Sequence, residues 1–97
     1  MTVNIGAGDV PTAGDDVILG TDGPDVILAG GGDDTICGEG GGDTINGQAG
    51  NDTIFGGDGI DRLNGGAGDD ELFGGDGDDD LRGQGGDDEL FLSLIHI

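Results

Sequence analysis

The sequence predicts an all-β fold made by stacking: a β-solenoid in which two short units form one coil. Three observations predict it: an Asp that recurs every nine residues, a glycine fixed two positions before it, and an aliphatic fixed two positions after it. The clearest stretch is Gly65 to Leu81, GGAGDDELFGGDGDDDL, which holds one full unit and almost all of a second. Its rule is G-G-x-G-x-D-x-(Ile/Leu)-x.

The Asp column reads Asp16, Asp25, Asp34, Asp43, Asp52, Asp61, Asp70, Asp79 and Asp88. Two residues earlier stand Gly14, Gly23, Gly32, Gly41, Gly50, Gly59, Gly68, Gly77 and Gly86. Two residues later stand Ile18, Ile27, Ile36, Ile45, Ile54, Leu63, Leu72, Leu81 and Leu90. No column is broken in nine units. A flexible acidic linker of the same composition would scatter these residues, so the register argues against disorder.

Each unit divides into a turn and a strand. Its first six residues combine glycines, which accept positive φ, with an Asp able to close the turn. Its last three, such as Thr53-Ile54-Phe55 or Glu71-Leu72-Phe73, set one aliphatic between two outward neighbours, a very short strand with the middle side chain facing in. One such strand has no stability alone. Stacked copies pair edge to edge, odd units in one sheet and even units in the other, and bury a continuous Ile and Leu ladder. Residues 1–11 read as a lead-in or N-terminal cap, 12–91 as the repeat array, and 92–97 as an apolar tail.

Composition limits what such a stack does. The chain has 97 residues, 26 glycines and a formal charge of −20 with only two basic residues, so a phosphate-binding patch is excluded, and with it nucleic acid and anionic lipid surfaces. No apolar run reaches the length of a membrane span, and MTVNIGAGDV lacks the basic and apolar regions of a signal peptide. A single cysteine, Cys37, forms no internal disulfide. The nine-residue ladder is too small to offset the ordering of some 80 residues rich in glycine, and carboxylates crowded at the turns oppose compaction. A multivalent cation taking oxygen ligands repairs both faults, and acidic turns with free carbonyls offer the hard oxygens that calcium prefers.

These residues resemble the calcium-binding nonapeptide G-G-x-G-x-D-x-U-x of the RTX (repeats-in-toxin) family of secreted bacterial toxins, proteases, lipases and adhesins. The resemblance runs from Gly14 to Phe91. It implies a calcium-bound parallel β-roll with each ion between one turn and the turn two repeats later. It implies as ligands the nine column carboxylates, Asp16 to Asp88, and carbonyls from the first four positions of the unit. The latter are represented by Gly56, Gly57, Asp58 and Gly59, by Gly65, Gly66, Ala67 and Gly68, and by Gly74, Gly75, Asp76 and Gly77. Nine turns paired in this way give about seven sites, which would bring the charge to about −6.

Departures from the rule grade the units. Pro11 and Thr12 replace two glycines in the first, a ragged cap; Thr21, Ala29, Glu39, Gln48 and Gln84 each replace one. The purest units span Gly56 to Arg82, where the tightest sites are expected. Residues after the aliphatic read Leu19, Cys37, Phe55, Phe73 and Phe91 on odd units and Leu28, Asn46, Asn64 and Arg82 on even ones, so one sheet carries an apolar outer face for self-packing or for docking.

Enzymatic chemistry lacks materials. The only serine, Ser93, and the only histidine, His96, lie in the tail outside the repeats, and LSLIHI resembles a translated sequencing adapter. Carboxylate pairs such as Asp33-Asp34 and Asp87-Asp88 recur along the array, which fits a periodic role better than a unique acid and base. There is no G-x-G-x-x-G run, and Asp76, Asp78 and Asp80 fail as an EF-hand because Leu81 stands where its glycine belongs. The expectation is a non-enzymatic segment that folds on calcium outside the cell, part of a larger bacterial protein exported by a type I system. The alternative is an extracellular structural or adhesive solenoid spacer.

Overall fold

The computed structural model describes residues 1–92; Ser93, His96 and the rest of the tail lie outside the described residues. It contains ten three-residue strands: β1 (Thr2–Asn4), β2 (Val17–Leu19), β3 (Val26–Leu28), β4 (Thr35–Cys37), β5 (Thr44–Asn46), β6 (Thr53–Phe55), β7 (Arg62–Asn64), β8 (Glu71–Phe73), β9 (Asp80–Arg82) and β10 (Glu89–Phe91). A 3-10 turn, Ile5–Ala7, follows β1.

Nine of these strands sit where the column aliphatic is flanked by one residue on each side. All pairing is parallel. One sheet runs β1-β2-β4-β6-β8-β10 and the other β3-β5-β7-β9, so successive units alternate between sheets in a solenoid of about five coils. The register sets like on like: Thr53 opposite Glu71, Ile54 opposite Leu72, Phe55 opposite Phe73. A shift of one residue would turn the aliphatic outward, so the alternation pins every pair.

Between the sheets lies one narrow core. Ile18, Ile27, Ile36, Ile45, Ile54, Leu63 and Leu72 are at most 1 % exposed, joined by Val3 from β1 and by Ala29. Leu81 packs only partly against this core, and Leu90 is 46 % exposed, because both lie at the last described coil, where no further strand among the described residues covers them. At the other end Val3 closes the ladder, with β1 paired to β2 through Thr2–Val17, Val3–Ile18 and Asn4–Leu19. The outer face of the six-stranded sheet carries the apolar column: Phe55, Phe73 and Phe91 stack with centroids 4.9 Å apart.

Candidate metal centre

Each strand is followed by a turn that must reverse the chain in six residues, and the backbone does so by visiting the left-handed region. In turns three to nine, counted by the column Asp, the second and fourth positions of the unit both have positive φ, as at Gly57 (87°) and Gly59 (102°). Glycine adopts this without cost. Glu39, Gln48 and Gln84 adopt it at φ 74°, 68° and 66°, so these substituted positions keep the turn and carry its strain.

The turns stack in two columns, and the column Asp ties them together. The backbone N–H of each Asp donates to Oδ1 of the Asp eighteen residues on: Asp34 to Asp52, Asp52 to Asp70 and Asp70 to Asp88 on one side, Asp43 to Asp61 and Asp61 to Asp79 on the other, all at 2.8 Å. Asp16 and Asp25 donate in the same way to Asp34 and Asp43. Asp70 is thus linked to Asp52 and Asp88 and not to Asp79, its neighbour in sequence.

The second oxygen of these carboxylates is the conspicuous one. Oδ2 of Asp34, Asp43, Asp52, Asp61, Asp70 and Asp79 is buried with no hydrogen-bond partner. Beside it lies the glycine that opens the same unit. A Cβ on Gly56 would stand 2.6 Å from Asp61 Oδ2 and 2.8 Å from the carbonyl oxygen of Gly74, in the turn two units later; at Gly38 it would stand 2.5 Å from Asp43 Oδ2 and 2.7 Å from the Gly56 carbonyl. A bare carboxylate oxygen and a carbonyl from the next stacked turn therefore converge where only hydrogen fits. Carbonyls of the second and fourth positions point the other way along the stack: those of Gly57 and Gly59 lie against Gly75 and Gly77.

Electrostatics follow from this burial. Burial pushes the carboxyl of Asp52 up to about 7, offset in part by the N–H of Asp34 and reinforced by the carboxylates of Asp34 and Asp70. Asp61 rises to about 6 for the same leading reason, offset by the N–H of Asp43 and reinforced by Asp79 and Asp43. Asp34, Asp43, Asp70 and Asp79 are also raised, by burial first. The metal-free turns thus hold anionic oxygens at a cost that a cation would remove.

The anticipated site residues occupy distinct places. Asp16, Asp34, Asp43, Asp52, Asp61 and Asp70 are buried, while Asp25, Asp79 and Asp88 are half-buried. Gly56, Gly65 and Gly74 open their turns beside a column carboxylate, and Gly66 and Gly68 face the carbonyls of Gln48 and Gly50. Asp58, Ala67 and Asp76 stand at exposed turn tips. The opening position is Ala29 in turn three, where it is fully buried, and Pro11 in turn one.

Two features escaped the sequence reading. The position before the column Asp carries a second ladder on odd turns only: Asp33 N–H donates to Asp15 Oδ1, Asn51 to Asp33, Asp69 to Asn51 and Asp87 to Asp69, at 2.7–2.8 Å. Its signal was present, since even units carry Pro24, Gly42, Ile60 and Asp78 there. The second feature is a different closure in turns one and two. Thr12 donates its N–H to Asp16 Oδ2 at 2.7 Å and its hydroxyl to both Asp16 oxygens; Thr21 donates its N–H to Asp25 Oδ2 at 2.7 Å and its hydroxyl to Asp25 Oδ1 at 2.9 Å. The Thr12 N–H accordingly leads in holding the Asp16 carboxyl below its usual range.

The donor set is all oxygen, anionic in part, and repeated at every stacked pair of turns. That fits a hard divalent cation that accepts many carbonyl ligands and tolerates irregular geometry, which is calcium rather than zinc or copper. Among the described residues no three His, Cys, Asp or Glu side chains converge, so backbone carbonyls would supply most of each shell. No helix among these residues is long and apolar enough to cross a membrane. No curated protein and no solved structure matches the chain. The family model for the RTX calcium-binding nonapeptide repeat (4 copies) matches residues 11–45, 38–59 and 55–90. With parallel sheets, glycine turns and rows of unpartnered carboxylate oxygens all set by the matched unit, the chain belongs to the RTX calcium-binding repeat family and is a calcium-binding β-solenoid.

Proposed function

We propose that this chain is a calcium-driven folding segment of a larger bacterial protein, held unfolded in calcium-poor cytosol during type I export and folded by millimolar calcium outside. The observation that carries this reading is the row of six buried, unpartnered carboxylate oxygens, in a chain of charge −20. Burying such groups without a counter-ion opposes folding, so the free energy of ion binding becomes the free energy of folding. A segment with this dependence acts as a switch and a scaffold, and leaves enzymatic or toxic activity to other parts of the parent protein. Far-ultraviolet circular dichroism tests it: a coil spectrum in EDTA should become a strand spectrum on adding calcium. A strand signal of equal size in EDTA would refute the reading.

One observation favours a second role as a docking surface. Phe55 and Phe91 are 40 % and 41 % exposed at either end of the stacked ladder, and Leu19 and Cys37 continue the column on the same sheet. This face would dock the remainder of the parent protein. Gel filtration with calcium of a Phe55→Ser, Phe73→Ser variant, beside the unsubstituted chain, tests the face. Monomers of equal stability in both would remove the support for docking.

A further inference from the structure

We infer that the first coil is a cap closed by threonine hydroxyls in place of calcium, and that the array binds five ions rather than the seven that nine turns allow on paper. The inference deepens the calcium reading above and rests on it.

Backbone, carboxylates and sequence point the same way. Every turn from the third to the ninth has positive φ at both its second and fourth positions, from Gly30 and Gly32 to Gln84 and Gly86. Turns one and two have it at neither Thr12 nor Gly14, and at neither Thr21 nor Gly23. The difference begins at the second position. A threonine there keeps an ordinary φ, and its N–H swings onto the column Asp instead of leaving Oδ2 bare.

The consequence falls on the carboxylates. Both oxygens of Asp16 and both of Asp25 accept hydrogen bonds from the threonine of their own turn. Neither appears among the unpartnered buried oxygens, where the next six column Asp residues all do. A hydroxyl and an amide thus do for Asp25 what a cation would do for the others, at no gain of charge, and at Asp16 they act together with the N-terminal ammonium 3.6 Å from Oδ1. Asp16 and Asp25 are also the two column residues whose Oδ1 receives no N–H from an earlier turn, and Thr12 and Thr21 supply the missing donor. The two threonines, which read in the sequence as eroded glycines, are the terminating device of the stack. β1 lies on the same coil, with Val3 closing the core.

Turns three to nine number seven. Pairing each with the turn two later gives five sites, three on the odd side and two on the even side, of which the three–five site has Ala29 in place of the opening glycine and should fill last. The pairs one–three and two–four are left out because one partner in each has no free carboxylate oxygen.

Native mass spectrometry of the calcium-saturated chain counts the ions. Five are expected, and six or seven would overturn the inference while leaving calcium binding intact. A chain that binds none would overturn the calcium reading itself. A Thr12→Gly, Thr21→Gly variant supplies the glycines that later turns use and should bind more than five, whereas Thr12→Ser, Thr21→Ser keeps the hydroxyls and should stay at five. An unchanged count in the glycine variant, or a raised count in the serine variant, would contradict the role given to the hydroxyls.

Discussion

Replacing Gly56 by alanine isolates the metal cradle from every other use of glycine in the turn. Gly56 does not have positive φ, so alanine meets no backbone strain there. Elsewhere such a change stabilises by about 0.4–1 kcal/mol by restricting the unfolded chain. At Gly56 the new methyl would stand 2.6 Å from Asp61 Oδ2, 2.8 Å from the Gly74 carbonyl and 3.1 Å from Asp61 Cβ. Overpacking of this kind costs about 1–3 kcal/mol, and it pushes apart the two oxygens proposed to share one ion. The net loss of about 1–2 kcal/mol corresponds to roughly a tenfold rise in the calcium concentration needed to fill that site. Gly85→Ala is the control, because a Cβ there meets nothing within 4 Å and φ is not positive. Calcium titrations followed by circular dichroism and calorimetry should show Gly56→Ala weakened and Gly85→Ala neutral or slightly stabilised. Equal behaviour of the two would refute the cradle.

Other positions give further expectations. Gln48→Gly should stabilise the calcium-loaded form by about 0.5–1 kcal/mol, as relief of the positive φ exceeds the added chain entropy; urea unfolding reads it. Phe73→Ser removes the middle ring of the stacked ladder and should destabilise the loaded form by about 1–2 kcal/mol in the same assay. The pH dependence has a definite sign. The folded, metal-free chain holds protons on Asp52 up to about 7 and on Asp61 up to about 6, above the ordinary 3.8, so its stability is greatest below that ordinary value and falls as pH rises through 6 to 7. Because the calcium-free chain is unfolded, its carboxyls are already ionised between about pH 5 and pH 7.5, so calcium-driven folding there should release few protons; large proton release in calorimetry across buffers of different ionisation enthalpy would reveal a folded, protonated state before calcium binds.

The fold was readable because period and burial are the same fact here. Ile54 or Leu72 recurs in its slot only if it always faces inward, and the pairing of Ile54 with Leu72 places both in the core. What the period could not convey was the state of each turn. Thr21 and Gln48 occupy the same position of the unit and look like equivalent losses of glycine, yet Gln48 follows the glycine path at φ 68° while Thr21 leaves it to close on Asp25. The outcome depends on whether the side chain carries a hydroxyl within reach of the carboxylate, a local competition that spacing does not encode. The odd-side ladder through Asp33 and Asn51 escaped because it repeats every eighteen residues, twice the period being read. The partial exposure of Leu81 and Leu90 reflects position in the stack, since their sequence context matches that of Leu72.

Small-angle X-ray scattering with and without calcium reads out whether ion binding and folding are one event. The folded chain has a radius of gyration of 12.0 Å over its Cα atoms. An unfolded chain of this length has about 30 Å. A value near the larger figure is expected in EDTA, with collapse towards the smaller one as calcium is added; a compact particle of the smaller size in EDTA would show that the chain folds without the ion.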